Sequence, residues 1–166
     1  MKIFVINGPP EAGKDEFIKF VENNYDGDIY NFSSIDPVKA AAKELKWNGE
    51  KDDKARAFLV DIKQAWIKYN NGPTRYSIDT IIGIAERVYK RNLIIFVHIR
   101  EPEEIQKLKW FFPDLKTLFL DRPVIRRTVG NLSDDGVDNM EYDIKIVIEG
   151  GLNKLQEAVK DFLRRI

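Results

Sequence analysis

Gly8-Pro9-Pro10-Glu11-Ala12-Gly13-Lys14-Asp15 is the stretch on which the reading of this chain turns. The apolar run Ile3-Phe4-Val5-Ile6 precedes it, and an apolar-periodic segment (Phe17, Phe20, Val21) follows. The order is strand, glycine-bounded loop, helix. The spacing matches the phosphate-binding loop G-x-x-x-x-G-K-[S/T] at every position but the last, where Asp15 stands for Ser or Thr. Glycines let the backbone bend around a phosphate so that several N–H groups point inward. The helix beginning near Gly13 adds the partial positive charge of its N-terminus. Lys14 then sets a compact ammonium against the outer phosphates. Gly8, Pro9, Pro10, Glu11, Ala12, Gly13, Lys14, Asp15 and Glu16 are therefore the expected nucleotide-binding residues.

Outward from the loop, strands alternate with helices. Residues 2–7 read as a buried strand and 13–23 as the loop's helix. Ile29 to Phe32 is a short second strand ending at Ser33 and Ser34. Asp36-Pro37 predicts a helix start, with Asp36 as N-cap and a stripe of Val38, Ala41, Ala42 and Leu45. Residues 52–70 carry a helical period of Ala55, Phe58, Leu59, Ile62, Trp66 and Tyr69, stopped by Asn70-Asn71-Gly72-Pro73. A further helix presents Ile78, Ile81, Ile82, Ala85 and Val88. Leu93 to Val97 is a central strand, followed by a helix from Pro102, a strand over 115–120, a last strand over 142–148 and a closing helix from Leu152. The pattern predicts an α/β fold with a parallel sheet covered on both faces. The 166 residues read as one domain with two additions, a helical stretch over 36–90 and an arginine-bearing stretch over 122–140.

Composition narrows the function. There is no Cys, which excludes disulfides and thiolate metal sites. Lys plus Arg equals Asp plus Glu, which argues against a dedicated nucleic-acid or anionic-membrane binder. No apolar run approaches membrane-spanning length, and the first strand is too short for a leader's apolar region. A soluble cytoplasmic protein with a small-molecule substrate is expected.

In such sheets ligands bind beyond the carboxyl ends of the strands. Those ends carry the loop, then Ser33, Ser34 and Asp36, then His98 and Arg100, then Asp121 and Arg122. Phosphate donors, a carboxylate for Mg²⁺ and several cations form the set that phosphoryl transfer needs, because its catalysis is mostly positioning and charge neutralisation. Asp15 is the candidate metal ligand, since a carboxylate can replace the usual hydroxyl. An Asp in a first helical turn also satisfies the helix dipole alone. His98 stands at the end of the third strand, where a second metal carboxylate would be. Arg122, Arg126 and Arg127 could fold over the phosphates as a lid or line a solvated loop. Arg100 is either a phosphate clamp or an ion-pair partner of Glu101 or Glu104. Trp66 is a core or groove-edge aromatic, or a stacking surface for an acceptor base.

These residues resemble P-loop nucleoside and nucleotide kinases of the bacteriophage deoxynucleoside monophosphate kinase type. Animal-type phosphomevalonate kinases share the Gly13-Lys14-Asp15 variant. Asp36-Pro37-Val38-Lys39 resembles the family's D-P-[L/I/V]-K. His98-Ile99-Arg100-Glu101-Pro102-Glu103-Glu104-Ile105 resembles its D-V-R-F-P-N-E-x-x-x-I, with His98 in place of Asp and Glu101 in place of an apolar residue. Glu141-Tyr142-Asp143-Ile144 resembles its last strand. The resemblance implies five parallel strands, a helical acceptor-binding insert and a short lid. It implies ATP and Mg²⁺ as cofactors and a (deoxy)nucleoside monophosphate as acceptor. Lys14, Arg122 and Arg126 take the catalytic positions, and Asp15 sits near the metal. Ser33, Asp36, Lys39, Arg56, Trp66, Arg75 and Arg100 fall on the acceptor side. A non-nucleotide phosphate as acceptor, or a nucleotide-binding regulatory module with little turnover, are the other readings.

Overall fold

The computed structural model describes residues 1–50, 52–88, 92–123 and 140–166. Five strands form one sheet: β1 (Lys2–Asn7), β2 (Asp28–Ser33), β3 (Leu93–His98), β4 (Lys116–Asp121) and β5 (Ile144–Val147). Their order is β2-β3-β1-β4-β5, and every neighbouring pair runs parallel. The described helices are α1 (Lys14–Asn24), α2 (Asp36–Glu44), α3 (Asp53–Asn70), α4 (Gly72–Arg87), α5 (Pro102–Phe111) and α6 (Leu152–Arg165). The expected five-stranded parallel sheet is present.

Alternation along β1 explains the layers. Phe4 and Ile6 face one side, with Phe17, Ile18 and Val21 of α1 and Leu155, Val159 and Phe162 of α6. Ile3 and Val5 face the other, with Ile81 of α4 and Ile105 and Leu108 of α5. Each fully buried side chain of this kind contributes about 2 kcal/mol. Phe162 is the knot of the first layer. Its ring meets Phe4 edge-on at 5.2 Å and Phe17 at 5.3 Å.

Several local details differ from the expectation. Asp36 is the first helical residue of α2, not its cap; Ile35 holds that position. The Asp36 carboxylate bonds backward instead, accepting from the Ser33 N–H at 2.8 Å. The stripe expected on α2 is only half buried: Val38 and Ala42 are covered, while Leu45 is exposed. Strand β5 begins at Ile144 rather than Tyr142, because Asp143 is used otherwise. Its carboxylate accepts from the N–H of Thr117 at 2.7 Å and from its hydroxyl at 2.8 Å, so it starts the ladder with a side chain.

Helix α3 keeps its predicted bounds. Asp52 caps it by accepting from the Ala55 N–H at 2.7 Å. Asn71, left-handed at φ 54°, ends it and turns the chain directly into α4. The apolar stripe of α3 is not buried as a stripe, however. Tyr69 is 84% exposed, and the one buried residue of the helix is Lys63. The arginine-bearing stretch falls largely within 124–139, so Arg126 and Arg127 lie outside the described residues.

Candidate active site

The loop between β1 and α1 is shaped by two glycines. Gly8 takes φ 150°, and a Cβ there would lie 2.4 Å from the Leu120 carbonyl oxygen of β4. Only glycine lets the loop leave the sheet this close to its neighbour strand. Gly13 takes φ 86° and ψ 27° and caps α1, where a Cβ would meet open space. Between them the Ala12 N–H donates to the Pro9 carbonyl at 3.2 Å. Glu11 also sits in left-handed backbone at φ 62°.

Lys14 lies across this loop. Its Nζ donates to the Gly8 carbonyl at 2.8 Å and to the Pro9 carbonyl at 2.9 Å. The ammonium is thus held against the loop by main-chain oxygens. Asp15 is exposed in the first turn of α1, and Glu16 pairs with Lys19 at 3.6 Å.

The ends of β2 and β3 complete the floor. Ser33 is in register with His98. Asp36 closes on Ser33 and pairs with Lys39 at 2.9 Å, so Ser33, Asp36 and Lys39 form one unit. His98 Nε2 lies 2.8 Å from Asn31 Oδ1. A carboxamide oxygen only accepts, so this contact puts the imidazole proton on Nε2. Burial lowers the His98 pKa to about 4; Asp15 and Asp36 oppose that shift while Lys14 and Lys39 reinforce it. His98 is therefore neutral near pH 7.

The remaining candidates have the following surroundings. Arg100 is exposed just past β3. Arg122, past β4, donates to the Gly150 carbonyl at 3.3 Å. Arg56 is exposed and lies 3.9 Å from Asp53 of its own helix. Arg75 is exposed in the first turn of α4. Trp66 packs against Gly72, where a Cβ would lie 2.0 Å from its ring. It also tilts against Tyr76 at 6.4 Å, and Tyr76 meets Phe32 of β2 edge-on at 5.9 Å. This aromatic line joins the α3–α4 corner to the sheet.

No family model matches the chain, and no curated protein matches it. Solved structures do. The chain is similar to the Deinococcus radiodurans tunicamycin resistance protein, at 16% identity over 98% of this chain and 95% of that one, with a TM-score of 0.57. It is similar to TT1252 from Thermus thermophilus, at 17% identity over 99% and 97%, with a TM-score of 0.54. It is also similar to the Mycobacterium tuberculosis APS kinase in complex with AMPPNP and APS, at 13% identity over 98% and 97%, with a TM-score of 0.52. The fold is that of the P-loop kinases. At these identities the likeness concerns the fold.

One feature of this P-loop kinase fold was missed in the sequence. Lys63 of α3 is buried and pairs with Glu101 at 2.5 Å and Glu104 at 2.9 Å. Both carboxylates had been considered only as partners for Arg100. The signal was present: Lys63 lies four residues after Leu59 and three before Trp66, on the inward stripe of the helix. Glu104 likewise occupies the buried stripe of α5 beside Ile105 and Leu108.

Proposed function

We propose that this chain transfers the γ-phosphoryl group of ATP to a small-molecule acceptor, and that the acceptor is a (deoxy)nucleoside monophosphate. The carrying observation is the Lys14 ammonium held against the loop by the Gly8 and Pro9 carbonyls, with the Ser33–Asp36–Lys39 unit past the end of β2 in the same parallel sheet. A P-loop kinase fold supports the reaction class. The phage-kinase resemblance supports the acceptor.

In this reading the loop amides and the N-terminus of α1 hold the donor phosphates. Lys14 exchanges its two carbonyl partners for phosphate oxygens and follows the charge as it develops. An acceptor oxygen forms the new P–O bond as the bond to ADP breaks. A monophosphate acceptor is already ionised, so no strong base is needed. Lys39, Ser33 and Arg100 receive the acceptor, with Arg56, Arg75 and Trp66 farther along the insert. Arg122 and Arg126 act over the phosphates.

The donor set also fits a magnesium ion held largely by nucleotide. Among the described residues no group of three His, Asp or Glu could hold a metal. Mg²⁺ at phosphate sites ordinarily uses one or two carboxylates plus substrate oxygens. Asp15 would hold it, and the ion would neutralise phosphate charge.

A second reading is favoured by His98. A neutral imidazole stands where a carboxylate would add a metal contact, which suits a nucleotide-binding module with little turnover. ADP release with ATP and Mg²⁺, measured against a panel of ribo- and deoxynucleoside monophosphates, separates the two. Acceptor-dependent release supports the kinase. Tight ATP binding with a flat panel turns the reading to the module or to a non-nucleotide phosphate.

A further inference from the structure

A buried lysine is costly, because its charge must leave water. Helix α3 nevertheless buries Lys63 and no other residue of its 18, all of them described. Lys63 is 7% exposed and Glu104 is 6% exposed, while Glu101 stays half in solvent. Burying such a group adds little stability over an apolar residue of the same size. What it does supply is a fixed place: ion pairs at 2.5 and 2.9 Å leave α3 little freedom to slide.

The location of this joint is informative. Helix α3 packs on α2 and α4 with its apolar face half covered, and Lys63 is its one buried residue. The two carboxylates belong to the segment that leaves the sheet at β3. Glu101 directly follows Arg100, and Glu104 lies in the first turn of α5. Lys63 therefore ties the insert to the short stretch that carries Arg100. Glu104 feels burial first, which raises its pKa, while Lys63 and Lys107 pull it back down and Glu101 adds to the rise.

We propose that Lys63 is a positioning residue for the acceptor: its ion pairs with Glu101 and Glu104 hold helix α3 in register with Arg100. The assignment of the acceptor side rests on the kinase reading above. Loss of the joint should leave the P-loop untouched and misplace the acceptor.

The test uses the full chain with Lys63→Met and with the double variant Lys63→Met/Glu104→Met, which fills the same space with apolar groups. Both variants should raise the acceptor KM by about tenfold or more, since small misplacements are costly in catalysis. The ATP KM should stay within about twofold, because the P-loop lies elsewhere. The double variant should regain most of the thermal stability lost in the single one, without regaining the acceptor KM. Recovery of both together would reduce Lys63 to packing and overturn the proposal. So would a joint rise of both KM values. Hydrogen exchange on the ligand-free protein keeps the two readings apart. If the wild-type chain turns over no acceptor, the kinase reading fails. The hold of Lys63 on α3 is then upheld by faster exchange over 53–70 in the double variant with the sheet unchanged, and overturned by unchanged exchange there.

Discussion

Gly8 and Gly13 bound the same loop, yet alanine should affect them very differently. At Gly8 the backbone sits at φ 150°, and a new Cβ would press to 2.4 Å from the Leu120 carbonyl oxygen. That oxygen belongs to β4, which pairs with β1 from Phe4 to Asn7, so the obstacle cannot yield without disturbing the sheet. Glycine-only backbone contributes about 1–3 kcal/mol of strain and overpacking a similar amount, for a total of about 4 kcal/mol. For a chain of this length that is a fall in Tm of roughly 8–16 °C. At Gly13 the φ is 86° but nothing lies within 4 Å of a Cβ. Only the left-handed penalty applies, about 1 kcal/mol and a fall of roughly 2–4 °C. Thermal unfolding of Gly8→Ala and Gly13→Ala, with ATP binding followed by calorimetry, checks both. Equal losses at the two positions, or a larger loss at Gly13, would refute the view that β4 sets the shape of this loop.

Lys14→Ala should abolish phosphoryl transfer, a loss of about a thousandfold or more, with a Tm close to wild type; retained transfer would discard the loop assignment. Asp15→Ala should raise the Mg²⁺ concentration needed for half-maximal activity, and an unchanged titration would remove Asp15 from the metal. His98 is the only histidine, so its imidazole resonances are read without ambiguity by NMR. Held neutral down to about pH 4, it should not titrate between pH 8 and 5.5; a midpoint above 6 would contradict its burial. The unfolded chain takes up this proton near pH 6.5, so stability is undiminished above that pH and falls as pH drops toward 4. At pH 5 the loss is on the order of 2 kcal/mol, and urea unfolding of wild type against His98→Asn should show the difference.

The loop and the alternation of strand and helix were legible because they are local. Glycine spacing, a lysine and period-2 or period-3.6 runs are properties of neighbouring residues. The end of α3 at Asn71 was legible for the same reason. Asp36 was misplaced by one position because Asp-Pro reads as a cap, whereas its carboxylate found a better donor behind it in Ser33. The period of α3 gave the helix correctly, while its apolar face is only half covered. Periodicity reports that a helix has an apolar side, not what covers it.

The amino-acid order by itself determined the α/β class and the strand, glycine-bounded loop and helix that open the chain. The strand order, with β3 beside both β1 and β2, was decided only in three dimensions. That order sets the end of β3, and with it His98, between the strand that leads into the glycine loop and the strand that leads into Asp36, neither of which is its neighbour in sequence. It also takes the folded chain to bring Lys63 to carboxylates about forty residues away. Burial and Coulomb interactions act through space and fall off over a few ångströms, so their partners are set by packing and not by spacing along the chain.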